Sequence, residues 1–336
     1  MQKQESKWIL ILMIAVAVFF FGCSRSPAQV QEPALTPMED DHASQEEAHV
    51  PEPKLKVVAS FYPYYNMVEH IGGHLVDVQQ MVPDGTDPHS YEPNPRDLIQ
   101  LEEAHLFIYN GLGFETWMES VLLLIEGTDT RLIEAASFVD LLPYEDEDGG
   151  HDHDEITEHD HNEYDPHIWT DPMNMKLIAE AVKAVLEELD PENASVYEEN
   201  YLTYAEAIDQ LDDSFRQLAE ESGQTVLLVS HSAFGYMAHR YGFREIAVTG
   251  VSPHVEPNPG RLAELTNLAR DYRLEYIFFE TLANPKTAEV LANEAGLTPL
   301  MLYNLEGLTR EQKEAGETYF SLMHENVKTL RKALVK

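Results

Sequence analysis

The 336-residue chain holds a single cysteine, Cys23, so no internal disulfide can form and oxidative stapling is excluded. Positive charge is scarce as well. Lysine and arginine number 22 against 60 aspartates and glutamates, a formal charge of −38. So acidic a chain repels a phosphate backbone, and no basic patch is visible, which excludes nucleic acid as a partner; the same charge attracts cations. Two enzyme signatures are missing too: no His-Glu-x-x-His stretch occurs, and no Gly-x-Ser-x-Gly elbow. Ser230-His231-Ser232 does not replace them, because adjacent residues on one chain cannot form a catalytic triad.

What is present starts with a targeting segment over residues 1–23. Lys3 and Lys7 precede an apolar run over 8–21, short of a comfortable membrane span of ~20 residues, and Gly22-Cys23 ends it. A small residue followed by cysteine is similar to a bacterial lipobox, although Phe20 and Phe21 stand where leucine and a small residue are usual. That resemblance implies lipid on Cys23. Residues 24–54, rich in Pro, Glu, Gln and Ala, read as a disordered tether, with the folded body starting near Leu55.

The rest is long enough for two domains and, at 43% hydrophobic, can bury substantial cores. Short apolar runs predict strands over 56–61, 76–82 and 105–110, with helices over 65–71 and 96–104. A second series has strands over 225–230, 244–248, 276–279 and 299–303, with helices over 261–272, 286–295 and 310–334. Between the two, helical spacing covers 173–189 and then, past Asp190-Pro191, a longer segment to 221. Its stripe of Tyr197, Tyr201, Tyr204, Ile208, Leu211, Phe215 and Leu218 reads as core packing. Strands alternating with helices predict α/β layers with mainly parallel sheets. The expected organisation is an N-terminal lobe over 55–190, a linking helix over 191–222 and a C-terminal lobe over 223–336.

Residues 145–163 read EDEDGGHDHDEITEHDHNE, which sets His151, His153, His159 and His161 among ten carboxylates. With no apolar face this run is expected to be a mobile loop, and alternating imidazole and carboxylate can wrap a divalent ion. Further candidate ligands lie in loops at strand ends, where open α/β sheets bind ligands. They are His89 in Asp87-Pro88-His89, His167 in Asp165-Pro166-His167, His231 directly after a strand, and Glu306 after the last one. Glu280, at another strand end, and water compete with Glu306 for the fourth place. Proline in the two Asp-Pro-His turns restricts the backbone and fixes the direction of each histidine. Three imidazoles and one carboxylate suit tetrahedral zinc, whereas manganese prefers oxygen-rich sites of higher coordination. His70, His74, His105, His239 and His324, on helices or strand edges, are expected to be structural.

Several phrases stand in order along the chain: Ser60-Phe61-Tyr62-Pro63, Pro88-His89-Ser90-Tyr91-Glu92-Pro93, Asp165-Pro166-His167-Ile168-Trp169-Thr170-Asp171-Pro172, His231-Ser232-Ala233-Phe234-Gly235-Tyr236, Glu256-Pro257-Asn258-Pro259, Phe279-Glu280 and Asn304-Leu305-Glu306-Gly307-Leu308. Over residues 55–334 the chain resembles the TroA-like (cluster A-I) solute-binding proteins that deliver zinc or manganese to bacterial ABC importers. Its acidic His-rich insert is similar to that of the zinc-specific branch. The resemblance implies two lobes bridged by a rigid helix with the metal in the cleft between them. His89 and His167 would come from the N-terminal lobe, His231 and Glu306 from the C-terminal one. It also implies Zn2+ as a transported ligand rather than a catalytic cofactor, an ABC permease as partner, and a monomer lipid-anchored on the outer face of the cell membrane. Manganese-type relatives carry carboxylates in the last two ligand positions, so histidine at 231 favours zinc. His254 falls near the cleft and is expected at the surface. The competing readings are a manganese-preferring receptor, a metalloenzyme with water beside Glu280, and a metal-storage or adhesin lipoprotein.

Overall fold

The computed structural model describes residues 54–144, 164–251, 253, 258–282 and 286–335. Cys23, the tether, the run 145–163 with its four histidines, and His254 lie outside the described residues. Leu55–Ala59 (β1), Val76–Gln80 (β2), Leu106–Tyr109 (β3) and Arg131–Glu134 (β4) form a parallel sheet in the order β2-β1-β3-β4. Its crossovers are Tyr62–Gly72 (α1), Pro95–Glu102 (α2) and Met118–Ile125 (α3). The central strands are nearly unbroken apolar runs because helices cover both faces of a parallel sheet; Val57, Val58, Leu106, Phe107 and Ile108 are all buried.

Two helices follow, Pro172–Leu189 (α4) and Ala194–Glu221 (α5), turning at Asp190, whose carboxylate accepts the Tyr197 hydroxyl at 2.8 Å. The second sheet comprises Val226–His231 (β5), Arg244–Thr249 (β6), Tyr276–Phe279 (β7) and Thr298–Met301 (β8), parallel and ordered β6-β5-β7-β8. Gly235–Tyr241 (α6), Pro259–Asp271 (α7) and Lys286–Ala295 (α8) connect it, and Arg310–Glu314 (α9) and Tyr319–Leu334 (α10) close the chain. The sheets therefore repeat one topology although no sequence repeat is visible between them.

The stripe on α5 is buried as its spacing predicts. It belongs to one apolar core that runs from β1 and α1 through α4 and α5 to β5 and α10, so Glu52–Lys336 forms a single compact unit. Smaller clusters sit under α2 and α3 on one side and under α7 and α8 on the other. The helix expected over 310–334 is broken: α9 stops at Glu314, Gly316 turns with φ 73°, and Thr318 caps α10 through Ser321. The sequence pattern also passes over α3, β4 and α6.

Candidate metal centre

His89 stands in a single 3-10 turn, Pro88–Ser90, where Asp87 accepts its backbone N–H at 2.9 Å. The second Asp-Pro-His turn is built alike and goes further. Asp165 Oδ1 accepts the backbone N–H of His167 at 2.9 Å and meets its ring Nδ1 at 2.8 Å. With Nδ1 engaged, Nε2 is the nitrogen left to face the centre. His231 ends β5, one of the two inner strands of its sheet. Its Nδ1 lies 2.5 Å from Glu280 Oε2, a charge contact out of line for a hydrogen bond. Glu306 follows Leu305, which adopts φ 64°, a costly conformation for a bulky residue. Past that bend, the chain after β8 brings Glu306 to the three histidines.

One carboxylate oxygen gathers the three rings. Glu306 Oε1 is 3.1 Å from His89 Nε2, 3.5 Å from His167 Nε2 and 3.7 Å from His231 Nε2. One ligand atom from each of the four residues lies within 4.8 Å of all the others, a grouping that can hold a metal ion. The Nε2 atoms of His167 and His231 are buried with no hydrogen-bond partner. Buried polar atoms are normally satisfied, so two orphans aimed at one point mark a place for a further ligand. Phe114 packs edge-on against His89 with centroids 4.9 Å apart, Trp169 lies 5.2 Å from His167, and Phe61 backs both. These rings keep the centre apolar around its donors.

Glu280 does not join the group. Its Oε1 accepts the Ser230 hydroxyl at 2.7 Å and its Oε2 the Asn304 amide at 2.7 Å, so it stands as a brace behind His231. The site's charges are coupled. Burial alone would lower the pKa of His167, but the hydrogen bond to Asp165 and the negative charges of Asp165 and Glu306 outweigh it and raise it to about 10. His231 is also raised, burial again being overcome, here by Glu280 and Glu306. Burial would lift Glu306, yet the three imidazoles hold it well below the usual carboxylate range.

Some supporting residues carry no sequence signal of their own. Asp165 is visible only as part of its phrase. Asn110 donates to the Pro166 carbonyl at 2.9 Å and accepts the Tyr64 hydroxyl at 2.6 Å. Glu115 accepts the N–H groups of Asn110 at 2.8 Å and Gly111 at 3.2 Å, holding the loop from which Phe114 projects. Burial pushes the Glu115 carboxyl up to about 7. The halves meet around the centre through Trp169 Nε1 to the Asn304 carbonyl at 2.7 Å, the Tyr319 hydroxyl to the Trp169 carbonyl at 2.9 Å, and Gly85 N–H to the Leu308 carbonyl at 2.7 Å.

The chain is similar to known proteins in sequence and in fold. A sequence model of the family described as zinc-uptake complex component A, periplasmic (ZnuA), matches residues 57–333. The chain is 35% identical over 279 residues to zinc-binding lipoprotein AdcA of Streptococcus pneumoniae, covering 83% of this chain and 55% of that protein. It is 34% identical over 283 residues to the high-affinity zinc uptake system protein ZnuA of Bacillus subtilis, covering 84% of this chain and 88% of that one. The crystal structure of the Zn(II)-bound ZnuA-like domain of pneumococcal AdcA superposes with a TM-score of 0.71 at 32% identity, covering 84% of this chain and all of that domain. The chain thus spans about half of the pneumococcal protein and most of the Bacillus one. With a family match over nearly all of the folded body, the chain belongs to the ZnuA family.

Proposed function

We propose that this protein is an extracytoplasmic zinc receptor, which captures Zn2+ in the cleft between its lobes and hands it to the permease of an ABC importer. The observation that carries this reading is the convergence of two buried, unpartnered imidazole nitrogens, with a third from His89, on one oxygen of Glu306. Nε2 of His89, His167 and His231 with a Glu306 oxygen make a four-donor set suited to tetrahedral zinc. Its three nitrogens favour zinc over manganese. The relatives' names, a zinc-binding lipoprotein and a high-affinity zinc uptake protein, agree with this choice. An enzyme would need a free general base beside a zinc-bound water, and Glu280, the candidate, is already held by Ser230 and Asn304.

Calorimetric titration is expected to find one tight Zn2+ per chain in the cleft. His231→Ala should weaken it by roughly a hundredfold or more, about one ligand's share of a four-ligand zinc site. Tight binding unchanged in that variant would overturn the assignment. The same reading places lipid on Cys23 and the body on the outer face of the cell membrane. Cys23→Ser should release the protein or leave an uncleaved precursor; a variant that matches the wild type in membrane association and mature length would refute the anchor.

A further inference from the structure

The five residues after His231, from Ser232 to Tyr236, supply no ligand, yet one of them lies against the ligand support of the opposite lobe. Gly235 opens α6. A Cβ placed on it would fall 2.4 Å from Asp165 Oδ2 and 3.5 Å from Glu245 Oε2. The first distance is far inside van der Waals contact. Gly235 is not among the glycines in the left-handed region, so its backbone does not call for glycine. What the position needs is the space a side chain would take.

Neither neighbour can give way cheaply. Asp165 is 4% exposed, and its other oxygen is tied to both the backbone N–H and the ring of His167. Rotating Oδ2 away from a methyl group at 235 would drag Oδ1 off those two partners. On the far side, Glu245 Oε1 accepts the N–H groups of Ala233 at 3.1 Å and Phe234 at 2.9 Å, and Oε2 accepts the Ser232 hydroxyl at 3.1 Å. These bonds fix the turn that carries Gly235, so the turn cannot retreat either.

We infer that Gly235 is a positioning residue for the metal centre: its missing side chain lets α6 of the C-terminal lobe close onto Asp165, and this keeps His167 aimed at the ion. The inference rests on the cleft reading proposed above. It extends the site's support across the lobe boundary, because the carboxylate that orients an N-terminal ligand is itself seated on the C-terminal lobe. Disturbing an outer partner of a metal-bound histidine typically costs 10- to 100-fold in affinity, and Gly235→Ala is expected to fall in that range. Alanine is the better helix former, so a merely local effect on α6 would not weaken the fold.

The test is chelator-competition titration with Zn2+ on the full chain, with thermal unfolding of the metal-free protein alongside. The variants are Gly235→Ala, Asp165→Ala, the double variant and His231→Ala. Expected are a roughly 10- to 100-fold weaker Gly235→Ala with metal-free unfolding near that of the wild type, and a double variant within about twofold of Asp165→Ala. If Gly235→Ala fails to fold, Asp165→Ala should rescue it, since the clash is then removed. Affinity of Gly235→Ala within twofold of wild type, losses that multiply in the double variant, or misfolding that Asp165→Ala does not rescue would each overturn the inference. His231→Ala separates the two levels. If it keeps tight zinc, the cleft reading fails and takes this inference with it; if it loses zinc while Gly235→Ala does not, only this inference fails.

Discussion

Without an ion, the centre balances its buried carboxylate with protons. His167 holds its proton up to about pH 10 and His231 is raised as well, whereas zinc requires each coordinating nitrogen free of a proton. The sign follows directly. Below about pH 10 the His167 ring of the metal-free protein is protonated, so zinc must displace that proton, and affinity rises with pH by roughly tenfold per unit for each proton displaced. This climb continues through neutrality and does not level off at ~6.5, the ordinary histidine value. Calorimetry at pH 7 in buffers of different ionisation enthalpy should report at least one proton released per zinc; none released would contradict the coupling. For the metal-free fold, the same raised pKa means that the His167 pairing stabilises fully below ~6.5 and is lost as pH climbs through about 10. The three histidines are legible in the sequence because each sits at a strand end or in an Asp-Pro-His turn. The choice between Glu280 and Glu306 is not, since β7 and β8 are neighbouring strands and both deliver a carboxylate to the same edge. The partners Ser230 and Asn304 hold Glu280 as a brace, whereas Glu306 Oε1 stands among the three rings.

α5 couples the two halves through packing. Phe215 is fully buried on it and stacks on Tyr241 of α6 with centroids 4.9 Å apart. Phe215→Ala should therefore cost about 3–5 kcal/mol. Because the core is continuous across both halves, urea unfolding should remain one transition that shifts as a whole. Two separate transitions, only one of them displaced, would contradict that continuity. Elements with a clear pattern, such as the α5 stripe and the apolar runs of β1, β3 and β5, are legible without the structure. Those without one are not. β4 is an edge strand of four residues with charge at both ends and Leu132 exposed. α3 reads as a run of leucines with little polar contrast, and α6 spans only seven residues and begins inside the His231 phrase. The break between α9 and α10 hangs on Gly316, whose left-handed turn no periodicity announces.

For the molecule as a whole, the acidic His-rich run raises the question of how metal reaches the cleft. The described residues on either side of the run are held together: Pro143 and Tyr164 form an antiparallel bridge, and Asp165 N–H donates to the Leu142 carbonyl at 3.0 Å. Bridged residues sit ~5 Å apart, so a two-residue turn can replace residues 145–163 without moving the base. We expect such a deletion to leave cleft affinity nearly intact while lowering the total zinc bound per chain and slowing uptake when zinc is scarce. Unchanged stoichiometry, together with growth equal to wild type under chelation, would contradict a role for the run in capturing zinc. The seam around the centre has a different consequence. Its hydrogen bonds run from Trp169 to the Asn304 carbonyl, from Tyr319 to the Trp169 carbonyl, from Gly85 N–H to the Leu308 carbonyl and from Leu142 N–H to the Tyr236 hydroxyl. Every one has the main chain on at least one side, and a peptide group is the same in every residue but proline, which lacks the N–H. Half of each bond is therefore beyond the reach of any replacement but proline, and descendants of this chain can exchange most of their surface without altering how the two halves frame the centre.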